Sequence, residues 1–477
     1  MVPEKQELEF YVVLSVVIFG ILFAQFFLVK VNLGRALWWD EAIYILMAKS
    51  IVSGGEIGFF EAFRPLVWPI LLSPFQWISN QRALVVSLSV LLNLTNLLLV
   101  YLIFKKMTNR MIALVSLPFI FFFSSVLKLS LLGLSEHIAI LFGLLALLLY
   151  FNNKKKWAAL FSGLAFLSRF IFGVVFLGIL ISEIFDFLRK LRSTKENKEQ
   201  IYESEILSVI WIISIFLIVI TPYLVWMKIS FGSFFYAFKR AAEVLAISGG
   251  INDFGPFYYL IELLKRVPFV VLFPFSLIHL FKKGNRKETI AFFTIILVMF
   301  LYISFFVQHK ELRYLNFVVF LVVPISLSIL TFLWKIKKRV LRASAKLSVL
   351  VFLWLLFFCV ELPSAGYLFE GFGKSHLTDF IALIPKNESE IISSDPILGV
   401  YINAKIFTFS NDYYGFNQLN NSEAHYLFRN NCSLLCPSNL SMKCESARKK
   451  LLDFLSNKTL VETRVLDSCN ISLYKIR

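Results

Sequence analysis

Long apolar runs broken by short charged loops set the plan of this chain. Runs over 10–30, 82–104, 111–127, 137–151, 157–168, 170–187, 206–228, 267–281, 290–308, 313–334 and 347–362 mostly approach or exceed the ~17–20 residues a helix needs to cross a bilayer, and they predict about 11 spans. The stretch 157–187 is short for two spans, so a shortened hairpin turning at Ser168-Arg169 is expected, with a single tilted helix as the alternative. Basic residues gather in alternate loops: Lys105-Lys106 with Arg110, Lys154 to Lys156, Arg189 to Lys198, Lys282 to Lys287, and Lys335 to Arg342. These belong on the cytoplasmic side, together with the N-terminus. The other side then receives 31–81, a turn near 128–136, the Ser168-Arg169 break, 229–266, a corner at 309–312 and everything after 363. The expected fold is an all-α polytopic membrane bundle over 1–362 with a small extracytoplasmic α/β domain at 363–477.

Composition agrees with this plan. The chain is 58% hydrophobic with mean hydropathy +0.74, against roughly 45–50% apolar residues in soluble domains. Its 53 Phe residues favour a lipid-facing bundle over a water-filled channel. A net charge of +17 would suit nucleic acid, but its confinement to loops between apolar runs excludes that partner. The first run is too long for a signal-peptide core and no small-residue cleavage site follows it, so it is expected to act as a signal anchor.

After Pro363 the sequence turns polar and rich in Asn and Ser. Four cysteines lie there, Cys432, Cys436, Cys444 and Cys469. Outside the cytoplasm such a set reads as disulfides with three pairings open, and a zinc site is the rival. Sequons at Asn387, Asn420, Asn431, Asn439, Asn457 and Asn470 favour disulfides and a glycosylated domain facing outside or the lumen. Apolar runs at 391–394, 397–404 and 405–409, with paired strands around 463–466 and 471–476, suggest an α/β cap. Its expected role is structural or acceptor-docking.

The polar residues assigned to the outer face form a chemically coherent set. Asp40-Glu41 follows the first run, in Trp38-Trp39-Asp40-Glu41. Carboxylates at a membrane boundary are costly if drawn into lipid, which favours function over chance. Glu61 and Arg64-Pro65 share that loop; Glu136-His137, Arg169, and His309-Lys310-Glu311 with Arg313-Tyr314 mark the other turns. Carboxylates can take a hydroxyl proton or hold a divalent ion, and Arg and Lys can neutralise phosphate. Together they suggest transfer of a group from a lipid phosphate to a hydroxyl. Each has a plainer reading: Glu136 and Arg169 as helix caps, Glu61 as a solvated loop residue, Arg64 as a snorkelling arginine, His309-Lys310 as boundary residues. Glu61 and Glu136 are the metal candidates.

Asp40-Glu41 with Tyr44, followed by Phe63-Arg64-Pro65-Leu66-Val67-Trp68-Pro69, resembles the first outer loop of GT-C glycosyltransferases. The likeness is greatest to the protein-mannosyltransferase and aminoarabinose-transferase branch. His309-Lys310-Glu311-Leu312-Arg313-Tyr314 is similar to the His-Lys-Glu-x-Arg-Phe/Tyr signature of the branch that uses lipid-linked mannose, and Leu164 to Arg169 to the family's fifth-to-sixth helix hairpin. The resemblance implies Asp40, with Glu41, as catalytic acids, Asp40 being the general base. It implies Arg64, Arg169, His309, Lys310, Arg313 and Tyr314 at the lipid phosphate and Glu136 as a further acid. Where some members carry an acid before the basic residue of the Arg-Pro patch, this chain has Phe63, which puts metal binding at that loop in doubt. The implied reaction is an inverting displacement of a hexose, mannose first, from a dolichyl- or polyprenyl-phosphate donor, with Asp40 and the cations expected on opposite sides of the sugar. Acceptors include a glycan, a protein hydroxyl or a lipid. An oligosaccharyltransferase-like enzyme, a flippase for lipid-linked sugars and a purely structural membrane protein are the rivals. The sequons suggest an archaeal plasma membrane or a eukaryotic endoplasmic reticulum.

Overall fold

The computed structural model describes residues 2–33, 37–193, 198–248, 254–307, 310–331, 375–408, 423–431, 441–466 and 469–477. An apolar segment in lipid has no water for its backbone and must bond to itself, so the apolar runs fold as helices. These are α1 (Val2–Asn32), α2 (Trp39–Val52), α3 (Val67–Leu72), α4 (Gln81–Met107), α5 (Arg110–Phe121), α6 (Ser124–Ser130), α7 (Glu136–Phe151) and α8 (Lys155–Ser168). The bundle continues with α9 (Gly173–Ser193), α10 (Lys198–Phe231), α11 (Tyr236–Ser248), α12 (Tyr258–Arg266), α13 (Phe273–Lys282), α14 (Arg286–Phe305) and α15 (Asn316–Ser328).

Among the described residues six helices are long and apolar enough to cross a membrane, seven if the bent α5–α6 pair counts as one span. The protein is an integral membrane protein. Glu136–Phe151 and Pro268–Lys282 are shorter apolar helices, and the expected span at 347–362 lies outside the described residues. Every residue of α15 is buried, making it the central helix, whereas α1 leaves Phe19, Phe23 and Phe26 exposed at the edge. The hairpin expected at Ser168-Arg169 is present. Arg169 is extended (φ −158°, ψ 123°), and Lys155 pairs with Glu183 across the two arms, each the same distance along the chain from Arg169. The predicted span 111–127 is instead bent by 75° between α5 and α6. The bend lays Ser124, Ser125 and Lys128 along a cavity rather than against lipid.

The C-terminal part adds α16 (Ser375–Leu383), β1 (Glu390–Ser393), α17 (Pro396–Val400), β2 (Lys405–Thr408), β3 (Tyr426–Asn430), α18 (Ser441–Ser456), β4 (Thr459–Leu466) and β5 (Cys469–Lys475). The strands form one sheet in the order β2-β1-β3-β5-β4. β1 runs parallel to β2 and β3, and β5 antiparallel to β3 and β4. The apolar run at 397–404 opens as a helix: Asp395 accepts the Ile397 N–H at 2.9 Å and Pro396 supplies the first helical position, both start signals.

This sheet is fastened to the loop that carries Asp40. Ile43, Leu46 and Trp68 share one apolar core with Phe380, Leu398, Ile406 and Phe428. The Gly58 N–H donates to Ala404 O at 3.0 Å and the Ile406 N–H to Gly58 O at 2.8 Å. Gly58 has φ +88°, and a Cβ there would lie 2.3 Å from Leu46 O. Gly58→Ala is therefore expected to lose at least about 1–3 kcal/mol, read as a lower thermal midpoint in detergent. Gly20→Ala, with open space around it, is the neutral control.

Lys49 forms a second tie. Its Nζ donates to Val400 O at 2.6 Å and Ile402 O at 3.4 Å, and burial pushes its amine down to about 8. Between that value and the ordinary ~10.4, the unfolded chain binds more protons than the folded one, so stability rises with pH across this window. Wild type is expected to gain thermal midpoint from pH 8 to pH 10 relative to Lys49→Met. Identical slopes would remove Lys49 from the account.

Candidate active site

The site is built around the first turn of α2. Glu41 closes that turn, its Oε2 accepting the Trp38 N–H at 2.6 Å, as in a capping box. Its Oε1 accepts the Gly133 N–H at 2.8 Å and pairs with Arg82, both side chains being buried. Arg82 also donates to Leu131 O at 3.1 Å. Trp68 Nε1 donates to Gly133 O at 2.8 Å, and Tyr44 and Ser135 hydroxyls lie 2.8 Å apart. Glu41 is thus consumed in joining α2 to α4 and the 131–135 turn. Glu41, expected beside Asp40 as a catalytic acid, has its carboxylate buried in the core and lines neither of the two cavities.

Asp40 is engaged differently. Its Oδ1 lies 2.9 Å from Arg64 Nη2 and its Oδ2 2.8 Å from Arg313 Nη1. Arg64 also holds Glu61, and Arg313 holds Glu311. Arg169 pairs with Glu136, whose Oε1 is 3.6 Å from Arg313 Nη1. Tyr314 lies under Arg169 and Arg313, at 5.5 and 5.6 Å from ring centre to guanidinium. The outer loop, the α7 start, the hairpin turn and the α15 start therefore converge on one ionic network. Burial would raise the Asp40 carboxyl, but Arg64 and Arg313 outweigh it and hold it well below the usual carboxylate range.

Base and cations, expected on opposite sides of a bound sugar, are paired in the ligand-free protein, Asp40 with two of the arginines. Half-buried guanidiniums need counter-charge, and the nearest carboxylates supply it. Lys310, expected at the lipid phosphate, is engaged with backbone. Its buried Nζ donates to Ile303 O at 2.8 Å and Ser304 O at 2.6 Å, capping the end of α14. His309 lies outside the described residues. The metal candidates Glu61 and Glu136 are both gripped by arginine, and among the described residues no three His, Cys, Asp or Glu side chains are grouped so as to hold one metal ion. The residues do not fit a divalent cation.

Two cavities flank Arg313. A void of about 20 Å³ lies among Glu136, Arg169, Arg313 and Tyr314. A cavity of about 360 Å³ lies on the other side, lined by Trp38, Lys128, Tyr258, Arg266, Glu311 and Arg313 among others. Sequence reasoning missed Arg82, Lys128 and Arg266. Arg82 opens an apolar run, Lys128 stands alone after one and Arg266 just precedes one, which were the available signals. In the C-terminal sheet, Asn387, Asn457 and Asn470 are exposed and Asn431 is partly exposed, while Asn420, Asn439, Cys432 and Cys436, and the Cys444 side chain, lie outside the described residues. Cys469 is disulfide-bonded.

No protein-family model and no curated protein sequence matches the chain. Solved structures do. ArnT from Cupriavidus metallidurans bound to undecaprenyl phosphate is 11% identical, with TM-score 0.63 over 100% of this chain and 98% of its own. The Archaeoglobus fulgidus oligosaccharyltransferase in complex with zinc and sulfate is 13% identical, with TM-score 0.55 over 86% of this chain and 67% of its own. The chain has the GT-C fold. The GT-C likeness to ArnT runs the whole length, so the C-terminal sheet belongs to the match. At these identities the likeness is one of fold, and the roles of GT-C site residues in this chain rest on its own geometry.

Proposed function

We propose that the protein is a membrane glycosyltransferase that moves a hexose, mannose first, from a dolichyl- or polyprenyl-phosphate donor to a hydroxyl acceptor on the extracytoplasmic face. One observation carries this reading: an ionised carboxylate, Asp40, held by Arg64 and Arg313, with Arg313 also lining a cavity of about 360 Å³. Asp40 takes the acceptor O–H proton as the acceptor oxygen bonds to the anomeric carbon. The bond from that carbon to the phosphate oxygen breaks, and the phosphate keeps the electron pair, inverting the centre. Its charge is balanced by the site's guanidiniums. A carboxylate locked between two arginines is a weak base, so the donor's phosphate must compete for Arg313 before Asp40 becomes effective. No step is routed through a metal.

ArnT in complex with undecaprenyl phosphate supports a polyprenyl-phosphate donor. The oligosaccharyltransferase, known with a tethered acceptor peptide containing a sequon, supports a second reading, oligosaccharide transfer to asparagine. This chain covers 98% of ArnT but 67% of the oligosaccharyltransferase, which favours the first. The test offers purified protein dolichyl-phosphate mannose and glucose with hydroxyl acceptors and sequon peptides. Labelled hexose on a hydroxyl acceptor is expected. Passage of intact donor across vesicles with no product would replace the enzyme by a transporter.

A further inference from the structure

We propose that the donor's phosphate is seated by Lys128 and Arg266, in the cavity between α6 and α12, and not on the Arg64–Arg169 side of Asp40. This rests on the donor reading above and adds to it two residues outside every motif that suggested that reading.

The two sides of Arg313 differ in space and charge. On one side Arg64, Arg169 and Arg313 are matched by Asp40, Glu61 and Glu136, as many carboxylates as guanidiniums, and the void beside Glu136, Arg169 and Arg313 is about 20 Å³. An added phosphate would find its cations already paired and no room there. On the other side the cavity of about 360 Å³ is lined by Lys128, Arg266 and Arg313 against the single acid Glu311, and its size falls in the range of ligand pockets, ~300–1,000 Å³. Arg266 is pre-positioned, its Nε 2.7 Å from Glu262 Oε2 and its Nη1 3.1 Å from Ser124 Oγ. Lys128 Nζ sits 4.9 Å, and the Arg313 guanidinium 5.3 Å, from the centre of the Trp38 ring. An aromatic face two residues before Asp40 is thus bracketed by cations, which suits a sugar carried on a phosphate.

Access fits a lipid-borne ligand. α12 gives Tyr258 and Arg266 to the cavity and leaves Leu260, Ile261 and Leu264 exposed. One helix therefore offers a cation inward, Arg266, and an apolar surface along which a polyprenyl chain can lie.

The test measures binding of undecaprenyl phosphate to the full chain in nanodiscs by thermophoresis. Lys128→Gln and Arg266→Gln are each expected to raise Kd about tenfold, with Lys128→Arg close to wild type, while Arg64→Gln and Arg169→Gln change Kd less than threefold. Thermal midpoints identify variants that fail to fold, and Lys128→Gln alone suffices if Arg266→Gln does. An excess of phosphatidylglycerol should not displace the ligand; displacement would assign the cavity to bulk anionic lipid and overturn the proposal. Unchanged binding in Lys128→Gln with losses in Arg64→Gln and Arg169→Gln would move the phosphate to the other cluster and leave the enzyme reading standing. Absence of binding by wild type would sink that reading itself.

Discussion

Asp40→Asn is expected to slow sugar transfer by about 10²–10⁴-fold while donor affinity holds or rises. The rate loss is what removal of a general base typically costs. The affinity follows from the ion pairs: asparagine takes one negative charge from between Arg64 and Arg313, leaving Arg313, which lines the larger cavity, more available to a phosphate. A purely structural Asp40 would give the opposite, weaker donor binding with a lower thermal midpoint. Single-turnover rates at saturating donor, with Kd measured separately, distinguish the two. Transfer by Asp40→Asn at the wild-type rate would end the assignment. The pH profile is a further check. Because Arg64 and Arg313 outweigh burial and hold the carboxyl well below its usual range, wild-type activity should show no acid limb from Asp40 at its ordinary ~3.9. Arg313→Gln should move such a limb toward higher pH, since one of the two charges favouring the ionised form is gone.

Most of the bundle was legible because apolar length is a one-dimensional signal. The runs that became α4, α10 and α14 were read from hydropathy alone. The hairpin at Arg169 was legible for a second reason, a charge interrupting an apolar stretch. What the sequence hid was pairing. Asp40 and Arg313 are far apart in the chain yet 2.8 Å apart in space, and the expectation that base and cations stand apart came from reaction chemistry without the ligand-free charge balance. Glu41 and Asp40 look equivalent as neighbours, but consecutive helical positions point about 100° apart, so one faces the core and the other the site. Lys310, a basic residue beside Glu311 and Arg313, reads from the sequence as phosphate-binding, and its hydrogen bonds to the α14 carbonyls are invisible there. The 75° bend that brings Lys128 to the cavity is marked in the apolar run only by Pro118 and Ser124-Ser125, which hydropathy alone passes over.

Breaking the Glu41–Arg82 pair is expected to be among the costliest single changes in the protein. Both side chains are buried, and removing one partner of a buried ion pair costs about 3–5 kcal/mol because the other charge is left uncompensated. Arg82→Met should lower the denaturation midpoint by that order, and Glu41→Gln by a similar amount. Replacing both by Met should recover part of the loss, since no charge is then stranded, but not all of it. Glu41 also accepts the Trp38 and Gly133 N–H groups, and orphaned buried donors cost about 1–3 kcal/mol each. A double-mutant cycle on unfolding in detergent measures this; additive losses would show that the two side chains do not depend on each other. Activity gives a separate reading. Arg82 has no contact with Asp40, so a stability effect alone would spare transfer by the folded fraction. The Glu41 carboxylate ties the first turn of α2 to the 131–135 turn, just before Glu136, and through it sets where Asp40 stands between Arg64 and Arg313. Folded Arg82→Met is therefore expected to keep donor affinity and lose kcat, the pattern of a base held out of register.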